Sequence, residues 1–444
     1  MTSMDRRNFV HTTGAAMSAA ALAPAILSGR GDQRVRLGIV GVGGRGTSLL
    51  ELILRRADTD VTAISDIDPA ALARAVDLVE QAGRRRPAGY HESEHDYEQL
   101  VLRDDVDAVI IATPWRWHAP MAVAAMRAGK RPGVEVPAAV TLAECWDLVN
   151  TSEATGVPCM LLENVCYRRD VAAVFRMVRE GLFGELVHCR CGYQHDLREI
   201  KFHPGAEFGP GAEGEARWRT LHSVKRNGDL YPAHGIGPMA TCLGVNAGNR
   251  FTVLTSMATK SRGLHQYAVA RGGPAHPSAR VTFALGDVVT TLIQCAGGET
   301  VVVTHDTNLP RPYSLGFRVQ GTRGIWMDDG DVIYLEGVSE RAHQWEPWAP
   351  YQERFDHPLW TRWAERATGA GHGGMDFFVV HAFVESVKRR VPPPIDVYDA
   401  AAWSAISELS ERSVAEGGEP QAFPDFTRGR WVTRAPAFGL SDAF

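Results

Sequence analysis

The first residues in the chain that could do chemistry are glycines. Gly41-Val42-Gly43-Gly44-Arg45-Gly46 follows Val35–Val40, a short apolar run with β-branched residues, and precedes a helix-like segment over Thr47–Arg56. G-x-G-x-x-G between a strand and a helix lets backbone N–H groups approach a pyrophosphate, whose charge the positive helix end favours. Asp66 ends a second strand-like run, Val61–Asp66, 20 positions after Gly46. A carboxylate there takes the ribose hydroxyls of a dinucleotide and repels a 2′-phosphate, which favours NAD over NADP. Arg45 pulls the other way, since an arginine in this loop can meet phosphate. Further on, tyrosine, histidine and arginine concentrate in short motifs. Tyr231 and His234 lie three apart and share a face if their segment is helical. Both residue types can pass protons in general acid–base chemistry. Tyr193 and His195 share one face of a strand. His188, His305, Cys189 and Cys191 lack metal-ligand spacing, so no metal site is expected. No G-x-S-x-G elbow points to an acyl hydrolase.

The elements that must carry these residues alternate at first. After the two strands, Ala108–Ala112 is a continuous apolar run, as expected of a strand buried on both faces. The turn Thr113–His118 leads into a helix over Met121–Ala128, and another strand ends at Gly133-Val134-Glu135-Val136-Pro137. Thr141-Leu142-Ala143-Glu144 has the capping-box pattern and opens a helix to about Ala154. This alternation predicts an α/β Rossmann domain with a doubly wound parallel sheet over residues 31–160. From 161 to 444 the rhythm changes to strands. A helix at Val171–Glu180 is followed by strand-like runs at Leu186–Tyr193, Phe251–Met257, Arg280–Leu285, Val288–Cys295, Thr300–Thr304, Phe317–Gln320 and Val332–Leu335. These predict a C-terminal α+β domain with an open, mostly antiparallel sheet. Phe208–Glu215 reads as a Gly-rich surface loop. Gln344–Gly374, with four tryptophans, reads as an irregular excursion packing over something, a partner subunit being one candidate. Late helices at Met375–Lys388 and Tyr398–Glu416 should pack back onto the sheet or the first domain.

Composition removes several alternatives. With 47 Lys+Arg against 52 Asp+Glu, the 444-residue chain carries a net charge of −5, which argues against nucleic acid as its main partner, since phosphate neutralisation needs a basic face. After residue 30 no apolar run approaches the roughly 18 residues that span a bilayer. Seven cysteines, an odd number, make no disulfide framework. At the N-terminus, Arg6-Arg7-Asn8-Phe9 precedes an Ala-rich apolar stretch from Thr12 to Leu27, with an A-x-A-like site at Ala23-Pro24-Ala25. Residues 1–30 therefore read as a twin-arginine signal peptide, an address for export in the folded state to the periplasm or beyond.

The nucleotide-binding half, the T-P-x-x-x-H turn at Thr113–His118 and the Glu-x-Pro strand end resemble the Gfo/Idh/MocA oxidoreductases. Those carry Glu-Lys-Pro, whose lysine serves proton transfer; here Val136 stands at that position. His234 also lacks the family's aspartate four residues before it, since Leu230 is there and Asp229 is the nearest acid. A more specific likeness lies in Leu162–Asp170, Tyr193–Arg198, Trp218-Arg219-Thr220, Lys225–Gly228, Leu230–Gly235, Thr304–Thr307 and Arg311-Pro312-Tyr313. Together these resemble the NAD-dependent α-N-acetylgalactosaminidases of glycoside hydrolase family 109, from about residue 34 to at least 328.

That resemblance implies an exported glycosidase with tightly held NAD. Its NAD positions would be Gly44, Arg45, Asp66, Trp115, Arg116, Trp117, His118, Glu135, Val136 and Asn164, beside Gly41, Gly43 and Gly46 that the glycine motif already marks. Its sugar-contacting positions would be Tyr193, Arg219, Tyr231, Pro232, Ala233, His234 and Tyr313, with Tyr231 and His234 moving protons. It also implies a route unlike the usual pair of carboxylates: transient oxidation at sugar C3, elimination across C1–C2, water addition and re-reduction. The competing reading is a conventional NAD-dependent sugar oxidoreductase, against which Val136 counts. A third treats the chain as a sugar-binding scaffold with a vestigial cofactor fold. The free face of the open sheet would suit pairing with a second copy.

Overall fold

The computed structural model describes residues 34–444. The signal-peptide expectation falls on residues outside this range. Six strands, β1 (Val35–Val40), β2 (Thr59–Ser65), β3 (Ala88–Tyr90), β4 (Ala108–Ile111), β5 (Arg131–Val134) and β6 (Met160–Leu161), form one parallel sheet in the order β3-β2-β1-β4-β5-β6. Leu37, Ile39 and all four residues of β4 are fully buried, because helices cover both faces. The order reverses between β1 and β4. That switch point sets the turns after their carboxyl ends, residues 41–46 and 113–118, side by side.

The crossover helices start where their sequences say they should. Asp68 caps Pro69–Gln81 through Ala70 N and Ala71 N. Thr141 and Glu144 close both halves of the capping box on Leu142–Thr155, and Gly156 ends that helix in the left-handed conformation.

The second sheet has nine strands: β7 (Leu186–Gln194), β8 (Phe251–Ala258), β9 (Val288–Cys295), β10 (Thr300–Asp306), β11 (Arg318–Gly321), β12 (Gly324–Met327), β13 (Val332–Leu335), β14 (Glu346–Pro347) and β15 (Gln421–Ala422). Their order is β14-β13-β12-β11-β7-β10-β9-β8-β15, and every neighbour is antiparallel except β7 with β10. In β9 buried residues alternate with exposed ones, so one face lies on the core and the other, with Leu292, is free. The helix Met375–Arg389 packs on the first sheet, its Phe383 ring filling the space where Gly133 has no side chain. The helix Val397–Ala415 packs against Leu142–Thr155 and β8.

Two expectations fail. Arg280–Leu285 is not a strand: Pro277–Arg280 is a 3-10 turn, and the alternation that follows is real, with Phe283 and Leu285 buried. The backbone hydrogen bonds nevertheless run to the end of the helix Arg219–Lys225, Leu285 N to Ser223 O at 3.0 Å and Ala284 N to Val224 O at 3.4 Å. The Gln344–Gly374 stretch is not irregular but holds helices Ala349–Arg354 and Pro358–Ala367. Three of its four tryptophans pack within the chain, and Trp345 is exposed. Trp348 and Trp360 are buried, and Trp360 Nε1 donates to Tyr167 O at 2.8 Å.

Candidate active site

The glycine turn is shaped by what it must avoid. Gly41 has φ +84°, and a Cβ on Gly46 would stand 1.9 Å from the Gly41 carbonyl oxygen. A side chain at Gly43 or Gly44 would instead meet open space, so the outer rim of the loop is free to be approached. The helix Gly44–Leu54 has no side-chain cap and no acid in its first turn, which leaves its N–H groups available to an anion. Asp66 sits just past β2. Its Oδ2 accepts from Val42 N at 2.7 Å and its Oδ1 from Asp68 N at 2.8 Å, fastening the loop to the strand end.

Arg45 does not reach out of the loop. Its Nε donates to Glu135 Oε1 at 2.6 Å and its Nη1 to Asp376 Oδ2 at 2.7 Å, so the arginine is committed to two carboxylates. Asp376 also accepts from Asn164 Nδ2 at 2.7 Å and faces His372 Nδ1 at 2.8 Å. Burial alone would push the Asp376 carboxyl up, but His372 and Arg45 hold it well below the usual range. The Oδ1 of Asn164, buried, finds no partner among the described residues. Val136 is buried and apolar, its N–H donating to Glu135 Oε2 at 3.2 Å, so the position of the resembled oxidoreductases' lysine carries no charged side chain.

The Trp115–His118 turn divides its work. His118 is enclosed, with ring nitrogens 2.7 Å from both the Pro137 and Thr113 carbonyl oxygens; it staples the turn to the end of β5. Burial pushes its pKa down while the two carbonyls pull it up. Arg116 reaches outward to Glu94 at 2.8 Å, and the Trp117 ring meets His95 edge-on at 5.4 Å. Trp115 alone turns toward the second sheet, stacking on Tyr231 with centroids 5.4 Å apart.

Around that stack lies an aromatic wall. The Arg219 guanidinium sits 5.0 Å from the Trp115 ring centre and 5.1 Å from that of Tyr231, and it pairs with Glu215 one turn away. Tyr193, at the end of β7, lies 4.8 Å from Tyr231 and 5.5 Å from His234 between ring centres, and its hydroxyl is 3.1 Å from His195 Nδ1. Tyr313 is half exposed and meets the His195 ring edge-on at 5.0 Å. It is placed there because Ser314 and Gln194 exchange backbone hydrogen bonds of 2.9 and 3.2 Å, which ties the Pro312–Ser314 segment to β7.

Tyr231 and His234 do meet, but not across a helix face. The helix is Ala233–Cys242 with Pro232 at its N-cap, so Tyr231 precedes it in a turn where Asp229 Oδ1 accepts Tyr231 N–H at 3.1 Å. The two rings stand perpendicular with centroids 4.9 Å apart. A close approach fixes the helix itself: a Cβ on Gly235 would lie 2.7 Å from Gly192 N in β7. Burial pushes the Tyr231 phenol well above its ordinary value, with Tyr193 adding to the rise and Arg219 opposing it. Burial likewise raises Tyr193. Both phenols are therefore donors at neutral pH.

The residue that sequence reasoning left out is Glu163. It is fully buried, faces His234 Nδ1 with both carboxylate oxygens at 2.8 Å, and accepts from Val165 N at 2.8 Å. An acceptor on Nδ1 fixes the proton there and leaves Nε2 able to take one. Nε2 makes no hydrogen bond among the described residues. Behind the wall lies a second buried group. Lys201 Nζ donates to Thr307 Oγ1 at 2.8 Å and Asn308 Oδ1 at 2.6 Å, and burial, with Arg219 nearby, pushes its pKa well down. A cavity of about 10 Å³ between Lys201, His305, Arg219 and Tyr231 has room for about one water.

Known proteins bear on this arrangement at two levels. Residues 167–433 match the family description "Glycosyl hydrolase 109, C-terminal domain", and 35–162 match "Oxidoreductase family, NAD-binding Rossmann fold". The chain belongs to glycosyl hydrolase family 109. A family 109 protein of Stenotrophomonas maltophilia is 52% identical over 456 residues, covering 100% of both chains. An alpha-N-acetylgalactosaminidase of Tannerella forsythia is 53% identical over 424 residues, covering 93% of this chain and 90% of that one. Among solved structures, an NAD binding oxidoreductase from Klebsiella pneumoniae superposes with a TM-score of 0.67 at 19% identity, covering 88% of this chain and 99% of the other. A levoglucosan dehydrogenase complexed with NADH and L-sorbose gives 0.64 at 20%, covering 88% and 100%. At those identities the likeness is one of fold. The chain is thus a family 109 glycosidase with an NAD-binding Rossmann half.

Proposed function

We propose that the protein hydrolyses terminal N-acetylgalactosamine, in α linkage, by an oxidation–elimination route with NAD held throughout the cycle. The observation that carries this reading is the His234–Glu163 pair at 2.8 Å, set in an aromatic wall whose Trp115 comes from the dinucleotide-binding half. The name of the Tannerella forsythia relative supports the substrate.

The residues fit the cofactor on three counts. The rim of the glycine turn is open at Gly43 and Gly44, the helix behind it is uncapped, and Asn164 Oδ1 is a buried acceptor without a partner among the described residues. Asp66, whose carboxylate orders the loop, would read the ribose. Bound there, NAD would supply reversible hydride acceptance from the carbinol at sugar C3, which makes the adjacent C2–H acidic. What is left to the chain is proton handling. His234, fixed by Glu163 and with Nε2 unbonded among the described residues, is the group placed to accept a proton. Tyr231 and Tyr193, protonated through burial, donate: they hold sugar oxygens and can deliver a proton to one that is leaving. Arg219 lies against the ring that must stay ordered and adds positive charge beside it.

A direct displacement between two carboxylates has little to work with. Among the described residues around the wall, Glu163 pairs with His234, Glu215 with Arg219, Asp196 with Arg198 and Asp306 with Arg311, while Asp229 is buried, accepts Tyr231 N–H and lies 3.3 Å from His305 Nδ1. The test is hydrolysis of nitrophenyl α-N-acetylgalactosaminide in D₂O, with NADH followed by absorbance. Elimination predicts deuterium at C2 of the product and no accumulating NADH. Normal hydrolysis with C2 hydrogen retained would exclude the route, and one NADH per product would favour a dehydrogenase.

A further inference from the structure

Asp376, at the start of the helix Met375–Arg389, is 1% exposed and lies far along the chain from the motifs discussed above. Three side chains converge on its two oxygens. Oδ1 accepts from Asn164 Nδ2 at 2.7 Å; Oδ2 accepts from Arg45 Nη1 at 2.7 Å and from His372 Nδ1 at 2.8 Å. The loop before it closes tightly, since a Cβ on Gly371 would stand 2.8 Å from Asp376 Oδ2.

The contact with Asn164 has a consequence beyond packing. A carboxylate only accepts, so the amide must turn its NH₂ toward Asp376 and its carbonyl oxygen away. That oxygen is buried and finds no partner among the described residues. A buried acceptor left open is costly unless something donates to it. Arg45, on the same carboxylate, belongs to the dinucleotide loop itself, so one group from the C-terminal half orders two elements of the cofactor site.

We propose that Asp376 is a positioning residue for cofactor binding: it sets the polarity of Asn164, presenting Oδ1 as a fixed acceptor to an N–H or O–H donor of the dinucleotide, and anchors Arg45 behind the loop. This rests on the cofactor reading above. In Asp376→Asn, Arg45 still requires an oxygen, so the new NH₂ faces Asn164 and forces that amide to reverse. The cofactor then meets a donor where it needs an acceptor. Asn164→Asp sets two carboxylates against each other. Combined, the two substitutions exchange amide and acid: the amide introduced at position 376 donates to the carboxylate introduced at position 164, whose other oxygen is again an acceptor.

The experiment measures NAD affinity of the cofactor-stripped protein by fluorescence titration, together with melting of the stripped forms. Each single substitution should weaken NAD by about 10–100-fold, the range of one buried polar group left unpaired, and the double variant should return to within tenfold of wild type. Asp376→Asn binding NAD as wild type does, or a double variant no better than the single ones, would overturn the proposal. Should Asp376→Asn fail to fold, the double variant decides alone, a loss beyond tenfold overturning it. Wild-type protein that bound no NAD would instead overturn the cofactor reading, and this inference with it.

Discussion

His234 has one ring nitrogen committed to Glu163 and the other unbonded among the described residues, a division of labour that makes an imidazole a directed base. Glu163→Gln keeps the volume and removes the charge that stabilises the protonated ring. It should lower kcat by roughly 10²–10⁴-fold, the range of an impaired general base, with little change in melting temperature. Tyr231→Phe should cost kcat similarly while leaving NAD content intact, as measured on the purified protein. His372 gives a pH test of its contact with Asp376. The hydrogen bond to Asp376 raises its pKa, so its contribution is complete below the unfolded value near 6.5 and fades as pH rises through the higher folded value. The melting-temperature gap between wild type and His372→Ala should therefore be wider at about pH 6 than at about pH 9. Tyr193, Arg219, Tyr231, His234 and Tyr313 stood out because their residue types fall in short motifs, and the structure brings them together. Glu163, although inside the motif Leu162–Asp170, and Asp376 did not stand out, because their partners are distant along the chain. His234 is 71 residues from Glu163, and Arg45 is 331 from Asp376.

Elements were legible wherever local physics decides them. Continuous apolar runs marked the buried parallel strands, and the Thr141–Glu144 pair marked a helix start that the capping box realises. Where a tertiary partner decides, the sequence misled. Val281–Leu285 alternates like a strand but bonds to helix carbonyls, and the Trp-rich stretch hides two short helices behind prolines at Pro350 and Pro358. Close backbone approaches offer the sharpest tests at this scale. In Gly46→Ala the new methyl would collide with the Gly41 carbonyl, so NAD affinity and folding stability should fall together, the latter by about 1–3 kcal/mol as for overpacked sites. Gly235→Ala presses the helix Ala233–Cys242 off β7 instead. It displaces His234 and Tyr231 from outside the cleft, so kcat should drop by up to ~10²-fold with NAD content unchanged. Equal activity in Gly235→Ala would mean that the helix tolerates movement and that the site is less preorganised than its contacts indicate.

At the scale of the whole molecule, the two halves are joined by polar groups that must stay neutral or paired. His222 and His381 are both pushed down to about 4, by burial and then by neighbouring arginines; His381 Nδ1 lies 3.0 Å from Arg56. A depressed histidine stays neutral in the folded chain while the unfolded chain takes up protons, so stability should fall as pH drops from about 6.5 toward 4. The cysteines make no demand on an oxidising compartment. All seven are free and buried, and burial raises the pKa of each thiol, so none is poised for oxidative pairing. A chain built this way gains nothing from folding in an oxidising compartment and, on the reading proposed here, needs NAD, which is supplied in the cytoplasm. We propose that Arg6 and Arg7 direct export after folding, with the cofactor already aboard. Replacing both by lysine should retain NAD-loaded, active protein in the cytoplasmic fraction. Replacing residues 1–30 by a signal for export of unfolded chains should deliver protein that is outside the cell but lacks NAD and is inactive until NAD is added. Export of the double-lysine variant at the wild-type level, measured by fractionation and immunoblot, would remove the twin-arginine assignment and leave the fold and its site untouched.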